Sequence, residues 1–91
     1  MPSYRIEFTR PARKELERLP TKDRVRVTVA IDLLSENPRP PRCRPVQDAP
    51  KGTYRIRVGD YRVIYTIQDD VLLIAVVRIR RRNESTYNGI A

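Results

Sequence analysis

Residues 53–79, TYRIRVGDYRVIYTIQDDVLLIAVVRI, decide the fold of this 91-residue chain. Residues 53–58 and 61–67 each alternate apolar and polar side chains with a period of two, which predicts two half-buried strands. A third strand is predicted over residues 71–79, whose continuous apolar run favours a central position buried on both faces. Gly59-Asp60 separates the first two strands and a turn at Asp69-Asp70 precedes the third, and such short connections specify an antiparallel meander.

The N-terminal part predicts one strand and one helix. Residues 3–8 (SYRIEF) alternate as a strand does, and Thr9 is a suitable N-cap for a helix over residues 10–19. Pro11 is tolerated in the first helical turn, and the helix should end before Pro20.

Residues 21–36 fit two patterns. Every second residue from Val25 to Leu33 is apolar, as in a strand, but Val25, Val29 and Leu33 also form an i, i+4 row, with Ala30 and Leu34 beside it. The length between a Thr21 N-cap and Asn37-Pro38 favours a helix. Residues 38–52 hold five of the eight prolines and are expected to be a rigid loop or an extended crossing segment. The predicted fold is therefore α+β: a single domain over residues 1–91, ordered β-α-α-β-β-β, with a helical hairpin on one face of an antiparallel sheet.

The composition points to an anionic partner. Lys and Arg number 19 against 11 Asp and Glu, a net charge of +8, and all but three of the cations are Arg. Guanidinium groups bind phosphate bidentately, so nucleic acid is the first expectation, although a GC-rich genome would also favour Arg. We expect a cytoplasmic protein, since the lone Cys43 cannot form an internal disulfide. We also expect no export signal, because Arg5, Glu7 and Arg10 charge the N-terminus, and no membrane span, because the apolar runs are too short.

The arginines of the C-terminal half form the candidate site. If helices cover only one side of the sheet, the basic side chains should converge on the open side: Arg55, Arg57, Arg62, Arg78, Arg80, Arg81 and Arg82, followed by Tyr87. Such clustering is costly without an anion to bind. The alternative is a solvated sheet face whose cations prevent aggregation.

The residues available limit the chemistry. Without histidine there is no Ser-His-Asp or Cys-His arrangement and no usual zinc site, and Cys43 has no base to activate it. Asp69-Asp70 is better explained by a turn than by a magnesium site. RNA, however, carries its own nucleophile in the 2′-hydroxyl, so a protein that supplies orientation and positive charge can cleave it with no metal or other cofactor.

The chain resembles the RelE branch of the RelE/ParE toxin superfamily. The resemblance rests on YRIRVGDYRVIY at residues 54–65, on the apolar strand and Arg-rich segment ending in Tyr87, and on YRIEFTRPARKELERLP and LLSENPRPP in the N-terminal half. It implies the toxin of a type II toxin–antitoxin system, a ribosome-dependent endoribonuclease that cuts messenger RNA. It also implies a cognate antitoxin with an acidic, partly helical segment, and a toxin–antitoxin complex that can bind its own operator DNA.

By that resemblance, the catalytic positions are Arg55, Arg57, Arg62, Arg82 and Tyr87, with Arg78, Arg80 and Arg81 as RNA-binding residues. The family often has Lys at the first two positions, and Arg there suits an electrostatic clamp better than a general base. A glycine common before the last arginine is absent here, where Ile79-Arg80-Arg81 stands. Two alternatives stay open: a ParE-like toxin that poisons DNA gyrase, and a non-catalytic nucleic-acid-binding or repressor subunit.

Overall fold

The structure, a computed structural model, describes residues 3–81. Two helices and five strands follow the pattern of apolar residues closely, and the α+β prediction is confirmed. In chain order the elements are β1 (Arg5–Phe8), α1 (Arg10–Glu17), α2 (Thr21–Leu34), β2 (Arg44–Pro45), β3 (Thr53–Val58), β4 (Tyr61–Gln68) and β5 (Leu73–Arg81).

The sheet has the strand order β1-β5-β4-β3-β2. The β3–β4–β5 meander is antiparallel, as predicted, and Gly59 takes a φ of +57° at its first turn. One pairing departs from the predicted antiparallel sheet: β1 pairs with β5 in parallel, with Arg5 opposite Leu73 and Phe8 opposite Val76. Two parallel strands need a long crossover connection between them, and α1 and α2 form the first part of that connection. A short strand, β2, was not predicted; it pairs with β3 inside the proline-rich segment.

The predicted N-cap of α1 is confirmed, and that of α2 is not. Thr9 caps α1, since its hydroxyl oxygen accepts a hydrogen bond from the Ala12 amide at 3.3 Å. The N-cap prediction for Thr21 is wrong: Pro20 precedes α2 and no side-chain cap forms there, while Thr21 is the first helical residue. The first turn of α2 holds Asp23, whose charge suits a helix N-terminus.

The core lies between the two helices and one face of the sheet, and α1 contributes the buried Ala12. The α2 side chains in it are Val27, Ala30, Ile31 and Leu34. The predicted Val25–Val29–Leu33 row is indeed on one helical face, but it faces outward. On the strands, Tyr54, Ile56 and Val58 face the core as predicted, together with alternate residues of β4 and β5. None of the helices within residues 3–81 is long and apolar enough to cross a membrane.

The connection between β4 and β5 is longer than predicted. It spans four residues, 69–72, because Leu72 takes a φ of +52° and β5 begins only at Leu73. Val71 is exposed as a result, and within β5 every second residue up to Val76 is buried while its neighbours are half-buried. The strand is therefore internal, as expected, but less completely buried.

Candidate nucleic-acid interface

Six arginines lie on the sheet face opposite α2. The strand registers place Arg57, Arg62 and Arg80 directly opposite one another on β3, β4 and β5. A second row runs Arg44, Arg55, Ile64 and Arg78 across β2 to β5. Neighbouring strands are about 5 Å apart, so each row brings its guanidinium groups within reach of a single phosphate-bearing ligand. We call this set of six residues the arginine face.

A β-bulge at Val77 gives Arg78 and Arg80 their place on the arginine face. Tyr65 is opposite Val76, but Ile64 is opposite Arg78, so Val77 is an extra residue in β5. Regular alternation from the buried Val76 would have turned Arg78 and Arg80 toward the helices. The extra residue reverses the alternation and puts them beside Arg62.

Two side chains at the start of the helical hairpin take up backbone groups near the bulge. The Thr9 hydroxyl donates to the Val77 carbonyl oxygen at 2.8 Å. One carboxylate oxygen of Glu15 accepts from the Ile79 amide at 2.7 Å. β1 ends at Phe8, and beyond that point these two side chains form the hydrogen bonds to the β5 backbone that a longer β1 would have formed. The bulge is thus part of the contact between α1 and β5.

Positive charge predominates in the described strands that carry the arginine face. In the described part of the chain, strands β2 to β5 contain no Asp or Glu. Glu15 on α1 reaches this face: it lies 2.7 Å from the Arg78 guanidinium and 3.8 Å from that of Arg80. Like charges placed directly opposite on adjacent strands destabilise a sheet, and a bound polyanion would relieve that cost.

Arg81 lies elsewhere. The expectation that it joins the other arginines on the open face is wrong, because its position opposite Tyr61 puts it on the helix side of the sheet. Its guanidinium carbon is 5.7 Å from the centre of the Tyr61 ring, a cation–π distance. Tyr61 in turn donates to Asp23 at 3.0 Å; burial, and then that hydrogen bond, raise the pKa of the phenol.

Two of the predicted catalytic residues, Arg82 and Tyr87, lie outside residues 3–81. Of the others, the structure brings Arg55, Arg57 and Arg62 together with Arg78 and Arg80. Sequence reasoning missed Arg44 and Glu15. Arg44 belongs to a two-residue strand, which is too short to show a periodicity. Glu15 is one of several polar residues on α1, and only the tertiary structure shows that it faces β5.

A second polar cluster ties the proline-rich segment to the sheet at the β4–β5 loop. Arg39 binds both carboxylate oxygens of Asp69, at 3.2 and 2.7 Å, and the Tyr4 hydroxyl donates to the same carboxylate at 2.6 Å. These hydrogen bonds, that of Arg39 first, lower the pKa of Asp69 to about 2, and the bond to Asp69 raises the pKa of Tyr4. Asp69 therefore does more than form a turn.

Tyr65 and Tyr54 complete the attachment of this segment. The Tyr65 hydroxyl donates to the Pro38 carbonyl at 2.8 Å, and burial, more than its neighbour Cys43, raises the pKa of that phenol. The Tyr54 ring stacks on Tyr65 at 6.2 Å between centroids, and Arg39 lies 5.4 Å from the centre of the Tyr54 ring. These contacts hold residues 38–43 against the sheet.

Comparison with known proteins finds a matching family and similar relatives. Residues 6–86 match the family model described as "ParE toxin of type II toxin-antitoxin system, parDE". Toxin RelE of Mycobacterium tuberculosis is 32% identical over 83 residues, which cover 90% of this chain and 84% of that protein.

Two solved complexes contain similar chains. The archaeal RelE–RelB complex of Pyrococcus horikoshii matches with a TM-score of 0.79 at 26% identity, over 90% of this chain and 98% of that one. The toxin–antitoxin complex RelBE2 of M. tuberculosis matches with a TM-score of 0.73 at 29% identity, over 88% and 99% of the two chains. From its sequence and its fold, this chain belongs to the RelE/ParE superfamily of type II toxin–antitoxin toxins.

Proposed function

We propose that this toxin is a metal-independent endoribonuclease that cuts messenger RNA on the ribosome. One observation carries the proposal: Arg57, Arg62 and Arg80 lie directly opposite one another on three adjacent strands. Three like charges in one row form a site suited to a polyanionic ligand, because such a ligand relieves the repulsion between them. The pentacoordinate phosphorane formed in RNA cleavage carries extra negative charge, which such a row would stabilise.

The chemistry divides between substrate and protein. The RNA 2′-hydroxyl attacks the adjacent phosphorus, the bond to the 5′-oxygen breaks, and a cyclic phosphate forms. Arg62 lies in the middle of the row, and we assign it to the charge on the phosphoryl oxygens. Arginine keeps its proton at neutral pH, so these residues act as an electrostatic clamp, and the proton of the 2′-hydroxyl leaves to solvent water. By the family resemblance, Arg82 and Tyr87 would contribute to leaving-group protonation and to stacking on the substrate base.

A translating extract gives the direct test. Full-length protein is added, and the 5′ ends of messenger RNA are mapped at single-nucleotide resolution. We expect cuts within translated frames, reduced at least a hundredfold by Arg62→Ala, Arg82→Ala or Tyr87→Ala, in the range found when an oxyanion-stabilising group is removed. Arg26→Ala on α2 is the matched control, since that exposed arginine belongs to an element on the opposite side of the sheet, and it should cut like the wild type.

A gyrase poison is the second candidate, and the description of the matching family model as ParE favours it. Expression of the protein in growing cells, with the same mapping of messenger RNA, separates the two. Growth arrest with intact messages and broken DNA would refute the nuclease and support the gyrase reading. Intact messages, intact DNA and salt-sensitive RNA binding would instead indicate a nucleic-acid-binding subunit without activity.

We also propose a cognate antitoxin partner. Two solved complexes of similar toxins contain RelB-type antitoxins, and this chain carries a net charge of +8. An acidic, partly helical segment that covers the arginine face would bind and neutralise the toxin in one step. Binding of the resulting complex to its operator DNA is part of the same proposal.

A further inference from the structure

Helix α2 carries an apolar stripe on its outer face. Among residues 3–81, five large apolar side chains are exposed, and three of them, Val25, Val29 and Leu33, follow one another at i, i+4 spacing on α2. They are 58%, 53% and 65% exposed, while the other side of the helix packs on the core. The stripe extends about 12 Å along the helix. Contiguous apolar surface of this kind marks an interaction site more often than scattered exposed residues do.

Charges border the stripe in a symmetrical way. Lys22 lies seven residues before Val29 on the helical face of the stripe, and Glu36 lies seven residues after it in the turn that follows α2; both are exposed. Arg26 and Asp32 border it three residues to either side of Val29. The basic half of the surface thus mirrors its acidic half. Turning the helix end over end about Val29 exchanges the two halves and returns the apolar row to itself.

We propose that a second copy of this chain binds here, with the two α2 helices antiparallel and a two-fold axis at Val29. Val29 then contacts Val29 of the second copy, Val25 contacts its Leu33, and each Lys22 meets the other copy's Glu36. The interface is self-complementary, which is the requirement for a closed two-fold dimer. Antiparallel helices also align their dipoles favourably.

The size of the stripe sets the strength of the dimer. Three aliphatic side chains with their charged borders bury less surface than the roughly 800 Å² per partner of a stable complex, so the association is weak and reversible. The dimer is also independent of the proposed nuclease, because α2 packs on the sheet face opposite the arginine face. Both copies keep their arginine faces accessible.

Sedimentation of the full chain, from roughly 1 µM to 1 mM, tests the proposal. The wild type should pass from monomer to dimer over this range. Lys22→Glu and Glu36→Lys should each weaken dimerisation at least tenfold, since either change creates two like-charge contacts across the two-fold axis. The double variant restores both pairs and should dimerise within about threefold of the wild type.

Val29→Glu supplies a second test with a matched control. It places two carboxylates on the axis and should leave only monomer, whereas Val71→Glu, at an equally exposed valine in the β4–β5 loop, should leave dimerisation unchanged. Circular dichroism confirms that each variant is folded. A wild type that is monomeric at 1 mM overturns the proposal and assigns the stripe to a different protein. A dimer that the double charge exchange fails to restore, or that Val29→Glu leaves intact, overturns it as well.

Discussion

At the scale of single residues, Glu15 has the largest share of polar contacts near the site. Its side chain is 19% exposed and accepts hydrogen bonds from the Arg78 guanidinium and the Ile79 amide. We expect Glu15→Gln to lower the free energy of unfolding by about 1–3 kcal/mol, because charge-assisted bonds are lost. Urea unfolding measures it, with Glu17→Gln, exposed on the same helix, as a control that should change stability by less than about 0.5 kcal/mol. Equal effects of the two variants would contradict this role.

Asp69 gives a prediction about pH. Its folded-state pKa of about 2 is below the ordinary value of 3.8, so its contribution to stability is complete above that value and is lost as the pH falls through about 2. The difference in unfolding free energy between wild type and Asp69→Asn should therefore be largest above pH 4 and close toward pH 2. Asp70→Asn, at the next position, removes the same charge without removing the contacts of Arg39 and Tyr4 with Asp69, and it serves as the control. A constant difference for Asp69→Asn would refute the role of Arg39.

At the scale of elements, the two threonines at the helix starts differ in their hydrogen bonds. Thr9 accepts from Ala12 and donates to Val77, whereas Thr21 makes no cap. Thr9→Ala should therefore cost about 1–2 kcal/mol of stability and Thr21→Ala much less. Thermal unfolding compares them. Because Thr9 also contacts the bulge, amide exchange near Val77 should quicken in the Thr9 variant alone. Unchanged exchange there would mean that the Thr9 side chain stabilises the helix but not the bulge.

The elements that the sequence predicted are those with a local cause. Periodicity indicates strands 53–58 and 61–67, and Thr9 with Pro20 brackets α1. The parallel pairing of β1 with β5 could not be predicted, since alternation identifies a strand but not its neighbour. The Val77 bulge was equally hidden, because nothing in the run VLLIAVV marks the extra residue. That bulge determines which arginines share a face, so the sequence indicated candidate residues but not which of them lie together.

The exposed row on α2 shows a related limit. Val25, Val29 and Leu33 fit a buried helical face as well as Val27, Ala30, Ile31 and Leu34 do, because both sets recur at helical spacing. Only packing against the sheet distinguishes them. An apolar row that stays outside is informative for the same reason, as it is not needed for the core.

At the scale of the whole molecule, net charge should govern association. With +8 on 91 residues, binding of the antitoxin should weaken by roughly tenfold or more between about 0.05 and 0.5 M salt, because screening acts on exposed charges. Titration calorimetry over that range measures it. Arg57→Ala should reduce the salt dependence, while Arg26→Ala on the opposite side should not. The same affinity at both salt concentrations would mean that apolar contacts drive binding.

The pairing of β1 with β5 has a consequence for synthesis on the ribosome. Thr9 and its partner Val77 are separated by 68 residues, so the first strand leaves the ribosome long before its neighbour in the sheet exists. At about 5–20 residues per second, that interval is roughly 3–14 s. Through it, β1 has no partner and the hairpin of α1 and α2 has no complete sheet beneath it. The complete sheet, and with it the arginine face, therefore forms only after nearly the whole described length has been translated.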